Sequence, residues 1–243
     1  THNYTGYPMV REARELVRSG RIGEVRKVYA EYLQGWLADP LEATGQKQAE
    51  WRTDPARSGP GGSLGDIGTH AFNLLEHVTG RRVARLLGQR SSFVPGRKVD
   101  DDAQVLLELD NGATGTLACS QVCVGRENGL RLRVYGTEGA IEWDQEHPND
   151  LVVRWKDRPA EIRRTGNGYL GAAAQSLGRI PPGHPEGYLE AFANLYRAAA
   201  RAIRGEDDLD DAYPTVEDGV RGVRFIEKVI ESSEARAWVE FES

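Results

Sequence analysis

From residue 8 to 19 (PMVREARELVRS) apolar positions recur at helical spacing and stop at Gly20, a residue suited to the position just past a helix end. From 24 to 36 the period changes to two. Val25, Lys27, Tyr29 and Glu31 oppose Arg26, Val28, Ala30 and Tyr32, the pattern of a strand rich in β-branched and aromatic residues. Residues 37–62 are Pro, Gly and polar types without a period, a length uncommon in compact domains and often functional. Residues 64–79 (LGDIGTHAFNLLEHVT) read as a second helix closed by Gly80. Short β runs come next, near 83–93, 102–110, 113–124, 130–136, 139–144, 150–156 and 160–164. Asp110-Asn111-Gly112 is a hairpin signal, and Gly136-Thr137-Glu138-Gly139 is a second tight connection, so the strands they join are antiparallel neighbours. Helices near 185–204 and 214–233 and a last strand at 237–242 complete the pattern.

This order predicts one α+β domain over residues 1–243, with a large, mainly antiparallel open-faced sheet and helices packed on one face. Residues 104–109 and 130–135 carry apolar side chains at both alternating positions. That predicts a second buried face, covered by self-association as a homodimer or homotetramer.

Composition narrows the partners. Apolar residues make up 39% of the chain and charged residues 28%, with a net charge of −6. Lys and Arg are scattered rather than striped, which argues against a nucleic-acid surface. No apolar run approaches the ~20 residues of a membrane span, and no signal peptide opens the chain. Cys119 and Cys123 lie four apart in a segment read as strand, roughly 13 Å apart along an extended chain. That is too far for a disulfide, so reduced thiols in a cytoplasmic protein are expected.

The densest chemical cluster runs from Ser58 to His70 (SGPGGSLGDIGTH). Asp66 and His70 are four apart and share a helix face, about 6 Å between Cβ atoms. A carboxylate that orients an imidazole makes a general acid or base near neutral pH. The plainer reading has Asp66 capping the helix and His70 packed against the sheet. Asp66, His70 and His77 also fall near one stripe and form a candidate metal set for a hydrolase, although a further ligand from another element would be needed. Gly166-Asn167-Gly168-Tyr169-Leu170-Gly171 matches G-x-G-x-x-G, but a short polar run precedes it and Pro181-Pro182 interrupts the segment beyond it. A dinucleotide site needs a buried parallel strand before the glycines and a long helix after them, so the segment reads as a loop. His184, ahead of the helix that Pro185 and Glu186 open, is either a substrate contact or a packing residue.

Several strings together resemble the C-terminal domain of the glucose–fructose oxidoreductase / inositol dehydrogenase / MocA family. They are Trp51-Arg52-Thr53-Asp54-Pro55, Ser58-Gly59-Pro60-Gly61-Gly62, Asp66-Ile67-Gly68-Thr69-His70, Tyr135-Gly136-Thr137-Glu138-Gly139 and Tyr213-Pro214-Thr215-Val216-Glu217-Asp218-Gly219. The opening Asn3-Tyr4 and the later Ser19-Gly20-Arg21-Ile22-Gly23 extend the likeness along nearly the whole chain. The resemblance implies an NAD- or NADP-dependent oxidoreductase acting on a hydroxyl of a sugar, cyclitol or related polyol. It implies Asp66 and His70 as the catalytic pair; beside them Tyr4, Trp51, Arg52, Thr69 and His184 are expected as substrate contacts. The family's lysine from a Glu-Lys-Pro motif belongs to a Rossmann domain; that motif is not found in this sequence, and the chain is expected to lack the cofactor-binding half. Where the family often carries an arginine, this chain reads Thr5-Gly6-Tyr7-Pro8. A non-catalytic docking and oligomerisation module is the alternative from another class.

Overall fold

A computed structural model describes residues 1–206 and 213–241. Alternation in the sequence becomes a nine-stranded sheet. Its strands are β1 (Val25–Leu33), β2 (Val83–Ser91), β3 (Asp102–Leu109), β4 (Thr114–Ser120), β5 (Gly129–Gly136), β6 (Gly139–Asp144), β7 (Asp150–Trp155), β8 (Glu161–Arg164) and β9 (Val239–Glu240). The spatial order is β8-β7-β6-β5-β1-β4-β3-β2-β9. The tight turns make antiparallel pairs as expected, with Gly112 at φ 81° in the β3–β4 turn. β1 enters the middle of the sheet, parallel to β4 and antiparallel to β5. The sequence pattern does not show this insertion, because strands joined by a long excursion leave no turn signal.

Helices α1 (Pro8–Arg18), α4 (Thr69–Thr79) and α7 (Val216–Ala235) pack on one face. The short α2 (Lys47–Arg52) and α3 (Pro55–Ser58) lie in the long loop, and α5 (Ala172–Leu177) and α6 (Tyr188–Ile203) flank α1 and the chain start. Inward residues of every long strand meet these helices: Val28, Leu107, Leu132 and Trp143 are buried, and Phe72 of α4 stacks on Phe225 of α7 at 4.3 Å. Burial at roughly 25 cal/mol per Å2 of apolar surface makes this layer the main stabilising element. No described helix is long and apolar enough to cross a membrane.

The open face corrects the premise of one expectation, that both sides of β3 and β5 are apolar. The outward residues of β3 are Gln104, Leu106 and Glu108, and those of β5 are Arg131, Arg133 and Tyr135. Arg131 reaches Asp144 at 2.6 Å and Glu31 at 3.8 Å, and Arg133 reaches Glu31 at 3.8 Å. The face is therefore ion-paired and aromatic rather than apolar. Counting apolar residues along both runs overlooks that Arg and Glu take the outward places. The cysteine strand is also shorter than the sequence pattern predicts: β4 ends at Ser120, so Cys119 is buried in the sheet and Cys123 lies beyond it, both free. In the final strand, Glu242 falls outside the described residues.

Candidate active site

The site begins with a carboxylate that fixes a turn. Asp100 accepts from Gly62 N at 3.0 Å, Ser63 Oγ at 2.8 Å and Leu64 N at 2.8 Å. A Cβ on Gly62 would stand 2.0 Å from the Asp100 carbonyl oxygen, so this approach requires glycine. The chain then makes one wide π turn (Leu64–Gly68) before α4 begins, a departure from α geometry that is frequent at functional sites. Asp66 on that turn and His70 on the first turn of α4 both border a cavity of about 700 Å3.

Three walls close this cavity. On one side the Asp66 carboxylate accepts from Arg52 Nε at 3.0 Å and from Gln121 Nε2 at 2.8 Å. Arg52 also donates to Gln48 Oε1, and its guanidinium lies 4.3 Å from the centre of the Trp51 ring. The floor carries Tyr4, Tyr32, Asn128, Gln34 and Trp36, and Tyr188 and Phe192 of α6 stand opposite. Apart from His70 and the Arg52–Asp66 pair, whose charges cancel, these groups are neutral amides, phenols and apolar rings.

His70 sits among rings, with centroids 5.2 Å from Tyr4, 5.1 Å from His2 and 6.3 Å from Tyr32. Its Nδ1 is 3.2 Å from Nδ1 of His2, so in the neutral pair one nitrogen donates and the other accepts. Burial, which strips the imidazolium of hydration, lowers the His70 pKa to about 3, with the His2 charge as the second cause. Burial likewise lowers His2 to about 4. His70 is thus neutral at physiological pH and holds a lone pair. Burial raises both Tyr4 and Tyr32, so they remain phenols.

Of the residues predicted from the sequence, the structure brings Tyr4, Arg52, Asp66 and His70 to one cavity. The others it places differently. Asp66 makes no hydrogen bond to His70, because a carboxylate prefers the charged Arg52 to an imidazole held neutral. Trp51 lies beside the Arg52 guanidinium and is not a lining residue. Thr69 spends its hydroxyl on the Gly65 carbonyl, 3.1 Å away, and does not line the cavity. His184 is exposed in a turn, its Nδ1 3.2 Å from the Pro181 carbonyl oxygen. The metal set is not assembled: His77 borders a separate cavity of about 180 Å3. Among the described residues no group of three or more His, Cys, Asp and Glu is placed to hold a metal.

Gln34, Trp36, Gln46, Gln48 and Asn128 also line the cavity, and the sequence reading does not single them out. Gln34, Gln46 and Gln48 carry a usable signal, since side-chain amides clustered around a long polar loop suit a neutral polar ligand. Asn128 carries none, because the β1 insertion that brings it beside Tyr32 has no local signature.

The architecture to be matched is a nine-stranded open-faced sheet with a polar cavity at the start of a helix. The model of the GFO/IDH/MocA C-terminal domain family matches residues 10–142, and the chain belongs to that family. The oxidoreductase YfiI of Bacillus subtilis is 32% identical, over 99% of this chain and 64% of that protein. The levoglucosan dehydrogenase of Pseudarthrobacter phenanthrenivorans is 25% identical, over 98% of this chain and 65% of that protein. Among solved structures, an inositol dehydrogenase homolog from Azotobacter vinelandii complexed with NAD+ superposes with a TM-score of 0.93 at 35% identity, over 99% of this chain and 64% of that one. The chain therefore spans about 64% of the length of these relatives.

Proposed function

We propose that this chain provides the polyol-binding and proton-accepting side of an NAD(P)-dependent dehydrogenase acting on a hydroxyl of a sugar, cyclitol or related polyol. The observation that carries this reading is an imidazole, His70, held neutral at the edge of a large cavity walled by amides, rings and the mutually neutralised Arg52–Asp66 pair. Such a lining satisfies many hydroxyls without the desolvation cost of an unpaired charge, and its rings cover the apolar face of a sugar. Two relatives support the ligand class: the inositol dehydrogenase homolog is known in complex with NADH and myo-inositol, and a levoglucosan dehydrogenase with NADH and levoglucosan.

His70 accepts the hydroxyl proton. When its Nδ1 donates to His2, its Nε2 keeps the lone pair for this step. Asp66 acts at a distance from that transfer: it fixes Arg52 at the cavity wall, where the guanidinium orients a hydroxyl.

The one glycine segment that resembles a dinucleotide fingerprint does not suit that role. Gly166–Gly171 leads from the edge strand β8 into the six-residue α5, and the Gly171 amide already donates to Glu12 Oε2 at 2.8 Å. A six-residue helix after a short edge strand is not the long helix a pyrophosphate site uses, so the nicotinamide cofactor would be held by another domain. The test is a screen of the full-length protein against sugars, cyclitols and linear polyols with NAD and NADP, read by absorbance of the reduced nicotinamide. Oxidation of at least one polyol is expected. A protein that reduces neither dinucleotide with any of them refutes the reading.

A further inference from the structure

The cavity floor contains an unbroken run of side-chain hydrogen bonds whose direction the chemistry settles. Trp36 Nε1 donates to Gln34 Oε1 at 3.0 Å, Gln34 Nε2 to Asn128 Oδ1 at 2.8 Å, and Tyr32 Oη to the same Oδ1 at 2.7 Å. The Tyr4 and Tyr32 hydroxyls meet at 2.5 Å. An indole N–H only donates, so the Gln34 amide must turn its oxygen toward Trp36. Its nitrogen then faces Asn128, which must answer with its own oxygen, since a flipped amide would set donor against donor. That oxygen also faces Tyr32, whose single proton is thereby committed. The Tyr32 oxygen can then only accept from Tyr4. At the end of the chain, Tyr4 has given away its proton and keeps only lone pairs.

We propose that Trp36 is a positioning residue, whose indole N–H acts through Gln34, Asn128 and Tyr32 to make the Tyr4 hydroxyl oxygen an obligate acceptor beside His70. Tyr4 and His70 both line the cavity, their rings packed edge to face with centroids 5.2 Å apart. They suit a pair of neighbouring substrate hydroxyls, one giving its proton to His70 and the next donating to Tyr4. This inference rests on the polyol reading and narrows it to vicinal diols.

The backbone around Trp36 is built to hold this arrangement. Gln34 N donates to Ser120 O at 2.8 Å, Gly35 N to Arg126 O at 2.9 Å and Leu37 N to Gln121 O at 3.1 Å. A Cβ on Gly35 would stand 2.7 Å from the Cys123 carbonyl oxygen, so the close approach of the two segments requires glycine here. Residues 34–37 are thus tied to the end of β4 and cannot drift from the floor.

The direction of the chain is measurable without turnover. A hydroxyl proton couples through bonds only to the ring carbons of the tyrosine that owns it. In the full-length protein carrying 13C-labelled tyrosine, the proton shared by Tyr4 and Tyr32 is expected to couple to Tyr4. Gln34→Glu keeps the acceptor for Trp36 but offers Asn128 an oxygen, which forces its amide to flip. Tyr32 must then accept from Asn128 and donate to Tyr4, so the coupling should move to Tyr32. Trp36→Phe keeps the ring and frees the Gln34 amide. With the best polyol of the screen it should raise KM about tenfold while kcat changes little, the signature of a lost uniform binding contact. Coupling to Tyr32 in the unaltered protein, or no change of owner in Gln34→Glu, overturns the proposal whatever the turnover. Coupling to Tyr4 in a protein that oxidises no polyol leaves the chain standing and overturns the functional reading instead.

Discussion

His70 and His77 lie on the same helix, α4, and both are held neutral by burial, yet they face different surroundings. His70 borders a cavity of about 700 Å3, surrounded by rings and by a second imidazole that can share its proton. His77 borders one of about 180 Å3, its Nε2 has no hydrogen-bond partner among the described residues, and its backbone carbonyl accepts from Arg14. The charges of Arg11 and Arg14 add to burial in pushing its pKa well below the ordinary histidine value. A depressed pKa therefore identifies burial, which both residues share. Access to a ligand-sized space lined by neutral donors and acceptors is what separates a candidate base from a histidine that packs.

The largest expected effect falls on His70. His70→Ala removes the proposed proton acceptor and little core volume, so turnover of the best polyol should fall about a hundredfold or more while the fold is kept. Because the folded pKa is about 3, His70 is already deprotonated at mildly acidic pH. The unaltered enzyme should then show no acid limb from this residue in kcat/KM between about pH 5 and 8. Near-normal turnover of His70→Ala would make His70 and His77 alike, both structural.

A smaller effect is expected at Asp66, and its partner is the informative part. Asp66→Asn weakens the hold on Arg52 and should lower kcat/KM about tenfold. The double variant with Arg52→Gln should lose less than the product of the two single losses, since both changes break one ion pair. Combined with His70→Ala, the losses should multiply, because no hydrogen bond joins Asp66 to His70. Kinetics of the three singles and two doubles decide the matter. Coupling to His70 rather than to Arg52 would restore the carboxylate–imidazole pair that the sequence spacing predicts.

That contrast shows where sequence reasoning holds. Period-two runs and Asn-Gly or Gly-x-x-Gly turns report local geometry, so seven consecutive strands from β2 to β8 and their hairpins are legible in the chain itself. The four-residue spacing of Asp66 and His70 places both at one cavity for the same local reason. Their pairing is not legible, because the choice of partner depends on Arg52 in the long loop and Gln121 past β4, both remote in sequence. Asn128 and Tyr32 meet only because β1 enters the sheet beside β5, a long-range pairing with no sequence period of its own. Thr69 lies in a string that resembles the family and His184 stands ahead of a helix, and both are expected as substrate contacts; in the structure each hydrogen-bonds a nearby carbonyl, a local partner that neither likeness nor spacing announces.

The smallest effect is expected at His77, and it emerges only in acid. An unfolded histidine titrates near about 6.5, whereas folded His77 titrates well below that value. Below about pH 6.5 the unfolded chain therefore binds protons that the folded chain refuses, and stability falls as the pH drops. Above that pH both states are neutral at this residue and its contribution is flat. His70 and His2, lowered to about 3 and about 4, act with the same sign. His77→Leu deletes one of the three and also removes a buried nitrogen without a partner, so stability near pH 8 should change by no more than about 1 kcal/mol. Between about pH 6.5 and 4.5 the variant should lose melting temperature less steeply than the unaltered protein. Thermal unfolding followed by circular dichroism across that range tests the slope directly. An unchanged slope would mean that folded His77 accepts a proton as readily as the unfolded chain does. Its burial would then not hold it neutral, and the likeness between the two ends of α4 would fail at its first step.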